Sequence, residues 1–140
     1  RAGYHGMLLV KGAGGPTGNS NVGVAVIGGS IESTSSSNFV VEGIGGGSGS
    51  AAGGIGVSVT SNGSIRIPRR HARVSGTGGA GAGLNNHGVF VGDGELGASV
   101  AVRFLVAGAT KGNGTGIVVD NGKISNNTPR SGFKTFVIGI

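Results

Sequence analysis

Cysteine and tryptophan are absent from this 140-residue chain, tyrosine and methionine occur once each, and only five side chains are acidic. Without cysteine, neither a disulfide framework nor a thiolate metal site can contribute to stability, which is compatible with a bacterial surface protein. No run approaches the roughly 18 apolar residues of a membrane-crossing helix, and no secretory leader is visible. Aromatic residues make up 4% of the chain, too few for the stacking platforms that single-stranded nucleic acid needs. Eleven lysines and arginines against five acids leave a formal charge of +6, so a charged partner would be anionic. The chain opens on Arg1 and stops at Ile140 inside a strand-like phrase, as a processed product or a piece of something longer would.

What fills the composition is glycine, 34 residues of it, with 3 prolines. That content without a period reads as low-complexity chain, but here a period is present. An apolar, β-prone run closed by glycine recurs five times: Leu8-Leu9-Val10-Lys11-Gly12, Phe39-Val40-Val41-Glu42-Gly43, Ala72-Arg73-Val74-Ser75-Gly76, Phe104-Leu105-Val106-Ala107-Gly108 and Thr135-Phe136-Val137-Ile138-Gly139. The closing glycines lie 31 to 33 residues apart, the mark of an array in which each repeat is one supersecondary unit.

Two further phrases keep the same beat. Gly23-Val24-Ala25-Val26 returns as Gly56-Val57-Ser58-Val59, Gly88-Val89-Phe90-Val91 and Gly116-Ile117-Val118-Val119. The third phrase is Gly29-Ser30-Ile31, then Gly63-Ser64-Ile65, Gly94-Glu95-Leu96 and Gly122-Lys123-Ile124. Apolar residues recur at two rather than at three and four, and interior glycines would cost a helix about 1 kcal/mol each, so helical repeats are excluded. Collagen is excluded because no Gly-X-Y register persists. The pattern predicts an all-β fold, a right-handed parallel β-helix (β-solenoid) with three strands and about 31–33 residues per coil, the hand following the usual preference of parallel crossovers. Residues 1–140 form one solenoid segment, with coils at 8–38, 39–71, 72–102 and 103–134 and the start of a fifth at 135–140.

The two-residue period of a strand then sorts side chains into inward and outward. Val10, Val41, Val74, Val106 and Val137 form one inward ladder, with Leu8, Phe39, Ala72, Phe104 and Thr135 beside it. The valines and isoleucines of the second phrase, and Ile31, Ile65, Leu96 and Ile124 of the third, complete the core. Just outside these ladders Lys11 falls opposite Glu42, Glu32 opposite Arg66, and Glu95 opposite Lys123. All three pairs are of opposite sign, which supports the register.

The stretch Val74-Ser75-Gly76-Thr77-Gly78-Gly79, followed by Leu84-Asn85-Asn86-His87-Gly88-Val89-Phe90-Val91, resembles the glycine- and asparagine-rich repeats of large bacterial exoproteins related to filamentous haemagglutinin and other β-helical adhesins. The resemblance spans essentially the whole chain, although the turn between Gly108 and Gly116 is shorter than its counterparts. It implies a secreted or surface-displayed rod or fibre, with adhesion as the usual role.

Residues that could carry chemistry are few. Gly76-Thr77-Gly78-Gly79-Ala80-Gly81 satisfies G-x-G-x-x-G but enters a glycine-rich turn rather than a helix N-terminus, which removes the physical basis for holding a dinucleotide. The stretch 108–115 places Lys111 before its last glycine and is no phosphate loop. Polysaccharide lyases and hydrolases need two or three carboxylates converging on one sugar. Of Glu32, Glu42, Asp93, Glu95 and Asp120, only Asp93 and Asp120 share a turn region, and the nonapeptide of calcium-binding β-rolls is missing. His5, His71 and His87 occupy different coil positions, unlike a stacked metal site. No enzyme, cofactor or metal is therefore expected. Arg66, Arg69, Arg70 and Arg73, with His71, make a basic cluster that could contact an anionic polysaccharide.

Between the inward ladders of the first strand lie Leu9, Val40, Arg73, Leu105 and Phe136, and four of these five outward positions are apolar. A continuous apolar stripe on a rod implies that something covers it. Neither end of the chain shows a polar cap or an amphipathic helix, so the terminal coils would leave strand edges bare. The sequence thus points to an extracellular or cell-surface structural module that self-associates or continues a longer chain, coil to coil and laterally through Leu9, Val40, Leu105 and Phe136. The alternative is an adhesin module that binds carbohydrate or an anionic cell-surface polymer.

Overall fold

Three short β-prone segments per repeat, each bounded by glycine, give three strands per coil in the computed structural model, which describes residues 7–33, 38–67, 71–99, 103–127 and 134–140. The first coil holds β1 (Leu8–Ala13), β2 (Val24–Ile27) and β3 (Ser30–Glu32). The second holds β4 (Phe39–Ile44), β5 (Val57–Thr60) and β6 (Ser64–Ile67), and the third β7 (His71–Thr77), β8 (Val89–Gly92) and β9 (Glu95–Ala98). The fourth holds β10 (Arg103–Ala109), β11 (Ile117–Asp120) and β12 (Lys123–Asn126), and β13 (Lys134–Gly139) begins a fifth. Every third strand pairs in parallel, giving one five-stranded sheet, β1-β4-β7-β10-β13, and two four-stranded sheets, β2-β5-β8-β11 and β3-β6-β9-β12. The fold is a β-solenoid of about four turns.

Register follows the repeat residue by residue. Val10, Val41, Val74, Val106 and Val137 stand in one column, as do Val24, Val57, Val89 and Ile117, and Ile31, Ile65, Leu96 and Ile124. Val41, Val57, Val59, Val74, Val89, Val91, Val106, Ile65 and Leu96 are all sealed from solvent. At about 1.5–3 kcal/mol for each such side chain, these columns are the main source of stability. Phe39, Ala72 and Phe104 alternate large, small and large in one column, so the alanine leaves room for the rings above and below it. A further inward column, Ser33 followed by Ile67 and Ala98, lies two residues past the Ile31 column and extends the core. Coils at the two ends are less closed: Leu8, Val10, Ile31, Ile117 and Ile124 are only partly buried, and Val137 is 53% exposed.

The corners have distinct chemistries. Between the second and third sheets, Gly28, Asn62, Asp93 and Asn121 precede the glycine of each third phrase, with φ of 65°, 61°, 52° and 52°. This is the left-handed region that Gly, Asn and Asp tolerate best. Between the first and second sheets the backbones meet directly. A Cβ placed on Gly43 would overlap the carbonyl of Gly56, and the same holds for Gly12 against Gly23, Gly76 against Gly88 and Gly108 against Gly116. Both columns must therefore be glycine. Beyond this neck the loops stack on one another through backbone hydrogen bonds such as Gly45 N–H to Thr77 O (2.7 Å) and Gly79 N–H to Gly54 O (2.7 Å).

Candidate functional site

The outward face of the five-stranded sheet carries one outward side chain of the first phrase from every coil. Leu9, Val40, Arg73, Leu105 and Phe136 stand in register on it, one per coil. Leu9 and Phe136 are 43% and 37% exposed, Val40 and Leu105 are half-buried, and Arg73 is exposed. The stripe points outward, as the alternation requires. It is not wholly apolar: the Arg103 guanidinium lies over the Phe136 ring, 5.9 Å from its centroid. The next outward column begins with Lys11 and Glu42, whose side chains pair at 2.9 Å. That hydrogen-bonded ammonium, with the charge of Arg73 beyond it, holds the Glu42 carboxyl below the usual carboxylate range.

The four arginines grouped by sequence do not form one patch. Arg66 projects from the outer face of the third sheet, where Glu32 is its register partner but Glu95 takes the ion pair, at 4.0 Å. Glu95 also pairs with Lys123 at 3.2 Å and accepts the Ser125 hydroxyl at 3.2 Å. Arg73 belongs to the first sheet. Arg69, Arg70 and His5 lie outside the described residues. Arg103, which sequence grouping left out, is in register with His71 and with Lys134. The signal was available, because His71, Arg103 and Lys134 each stand two residues before a member of the outward stripe. It was hidden by reading Arg66–Arg73 as one basic run.

Of the five acids, Asp93 and Asp120 share one corner, where Asp93 N–H donates to Asp120 O at 3.1 Å. Glu42 faces outward on the first sheet, Glu32 and Glu95 are on the third, Asp93 is in the left-handed corner, and Asp120 ends β11 beside Gly92. Among the described residues no three His, Asp or Glu side chains come together as a metal site, and no helix is long and apolar enough to cross a membrane. The glycines of the G-x-G-x-x-G match pack into the loop stack: a Cβ on Gly78 would overlap Asn86 O, and one on Gly79 would overlap Gly46 O.

Three loop residues have structural tasks that the sequence pattern did not assign. Asn86 is fully buried. Its Oδ1 accepts Gly54 N–H at 2.9 Å, and its Nδ2 donates to Gly81 O at 2.8 Å and Gly83 O at 2.6 Å. One amide thereby closes its own loop and ties it to the loop of the preceding coil. Asn21, two residues before Gly23 as Asn86 is before Gly88, closes the first loop through Thr17 O and Gly18 O. His87 is half-buried, stacks on Phe90 with centroids 6.1 Å apart, and accepts Thr115 N–H on Nδ1 at 3.1 Å. Burial pushes its pKa below the ordinary histidine value.

Comparison with protein-family models, with curated proteins and with solved structures gives no match for this chain.

Proposed function

We propose that the chain is a non-enzymatic structural module of a secreted or surface-displayed fibre, stacking coil to coil and associating laterally through Leu9, Val40, Leu105 and Phe136. The solenoid fold fits a structural repeat module. The observation that carries the finer reading is the outward column itself, four apolar side chains held in register on a parallel sheet, where solvent exposure has no stabilising effect. The resemblance to filamentous-haemagglutinin-like exoproteins agrees with an extracellular rod. Sedimentation velocity over a concentration range tests the lateral contact: Leu105→Asp and Phe136→Asp should weaken side-by-side association while the far-ultraviolet circular dichroism stays that of the parent. A monodisperse monomer at every concentration overturns this reading.

A second reading, an adhesin module that holds an anionic cell-surface polymer, is favoured by a separate observation. Among the described residues, Arg73, Arg103 and His71 on the same face are in no ion pair.

A further inference from the structure

Residues of four successive coils, from Met7 to Leu105, line a groove of about 280 Å³ that runs along the solenoid axis on the outer face of the first sheet. Its basic members are Arg73, Arg103 and His71. Arg103 is in register with His71 in the coil before it and with Lys134 in the coil after it, so this column is basic at every coil from the third onward. The nearest acid on the face, Glu42, is engaged by Lys11. In the neighbouring column the half-buried aliphatic side chains of Val40 and Leu105 flank Arg73. We propose that this groove binds a linear acidic polysaccharide bearing a carboxylate on each sugar, laid along the solenoid axis. The inference rests on the adhesin reading; Val40 and Leu105 line the groove, so this face serves either the polymer or lateral assembly.

Three features select that ligand. Strands stack at about 4.8 Å, so His71 and Arg103, in register on adjacent coils, repeat on the scale of one sugar, and a polymer charged at each unit meets a basic side chain in the third coil and again in the fourth. Guanidinium groups present a planar fork that matches a carboxylate with two parallel hydrogen bonds. The aliphatic wall suits the C–H face of a pyranose ring, which a bare electrostatic patch would not use. Other anionic partners fit less well. Phe39, which lines the groove, is sealed from solvent, and Arg103 already covers the Phe136 ring on the same face, so bases find no stacking platform. A membrane surface calls for basic residues spread over the whole face, whereas the first two coils carry the neutralised Lys11–Glu42 pair.

Calorimetric titration of the 140-residue chain with polygalacturonate provides the test. Binding should weaken as salt is added and vanish with the fully methyl-esterified polymer. The double variant Arg73→Ser/Arg103→Ser should lose about tenfold or more in affinity, the scale of one or two charge-assisted hydrogen bonds, with unchanged circular dichroism. Arg66→Ser, on another sheet and paired with Glu95, should bind as the parent does. If the polymer binds but the double variant binds equally well, the groove is the wrong site and the adhesin reading survives. If the polymer does not bind, both fall. Tighter binding of single-stranded DNA or of phosphatidylserine vesicles than of polygalacturonate also overturns the proposal.

Discussion

In the three sheets, successive coils are held together by columns of aliphatic side chains; in the loops between the first and second strands they are held by close backbone contact and hydrogen bonds, to which polar side chains such as Asn86 add. Val41, Val74 and Val106 touch because each fills the space its neighbours leave. Gly43 and Gly56, or Gly76 and Gly88, touch because neither has a Cβ. Both halves of a coil must advance by the same strand spacing of about 4.8 Å, and each meets that demand with a different economy. The sheets gain from hydrophobic burial and tolerate changes of aliphatic shape. The loops gain from hydrogen bonds and close contact, and tolerate no added atom at the neck. The contrast teaches that glycine richness here is a packing requirement and not a sign of disorder.

Gly76→Val attacks the neck most severely. The new side chain would begin inside the carbonyl of Gly88, with backbone on both sides and nothing flexible to give way. We expect a loss of about 4 kcal/mol or more in denaturant unfolding, as large as any core substitution. Val74→Asp attacks the sheets by placing an unpaired carboxylate between Val41 and Val106, at a cost of about 3–5 kcal/mol. Arg73→Ser, one residue away and outward, should fall within about 0.5 kcal/mol of the parent. Equal destabilisation by Val74→Asp and Arg73→Ser would mean that the register is off by one residue.

How much of this was legible depended on which half of the coil was being read. Alternation with a fixed repeat was enough to place Val74 between Val41 and Val106 and Ile65 between Ile31 and Leu96, because a one-residue slip would turn a whole strand inside out. The loops carry no such alternation. Asn86 is next to Asn85, yet one is sealed and bonded to two loops while the other is an exposed left-handed turn residue, and nothing local in the sequence separates them. The shared placement of Asn21 and Asn86 before a neck glycine was the usable signal. Likewise Glu32 falls opposite Arg66 by register, but the long arginine side chain reaches diagonally to Glu95, which strand alignment does not specify.

Asn86→Ala sharpens the comparison from the loop side. It would leave Gly54 N–H and Gly83 O without their partner, while Gly81 O keeps Asn113 N–H, and should cost about 2–3 kcal/mol with no loss of apolar burial. Hydrogen exchange should show the loss of protection confined first to the amides of residues 45–56 and 78–88, with the sheets retaining theirs; uniform loss would show that loops and sheets unfold as one unit.

The smallest effect is expected from acid. His87 titrates below the ordinary histidine value because it is half-buried, so between that folded pKa and about 6.5 the unfolded chain binds more protons than the folded one. Stability should therefore be greatest above about pH 6.5 and decline as the pH falls below it, before the carboxylates begin to titrate. His87→Gln should flatten that part of the profile. An unchanged slope would assign it to another group.

Coil-to-coil stacking with a covered outer stripe is the core of the functional proposal, and electron cryomicroscopy of the purified chain at increasing concentration tests it most directly. Rods many coils long are expected, with an uninterrupted axial repeat of about 4.8 Å and with Leu105 and Phe136 at the contact between neighbouring rods. Discrete four-coil particles at every concentration, with Leu9, Val40, Leu105 and Phe136 open to water, would contradict it.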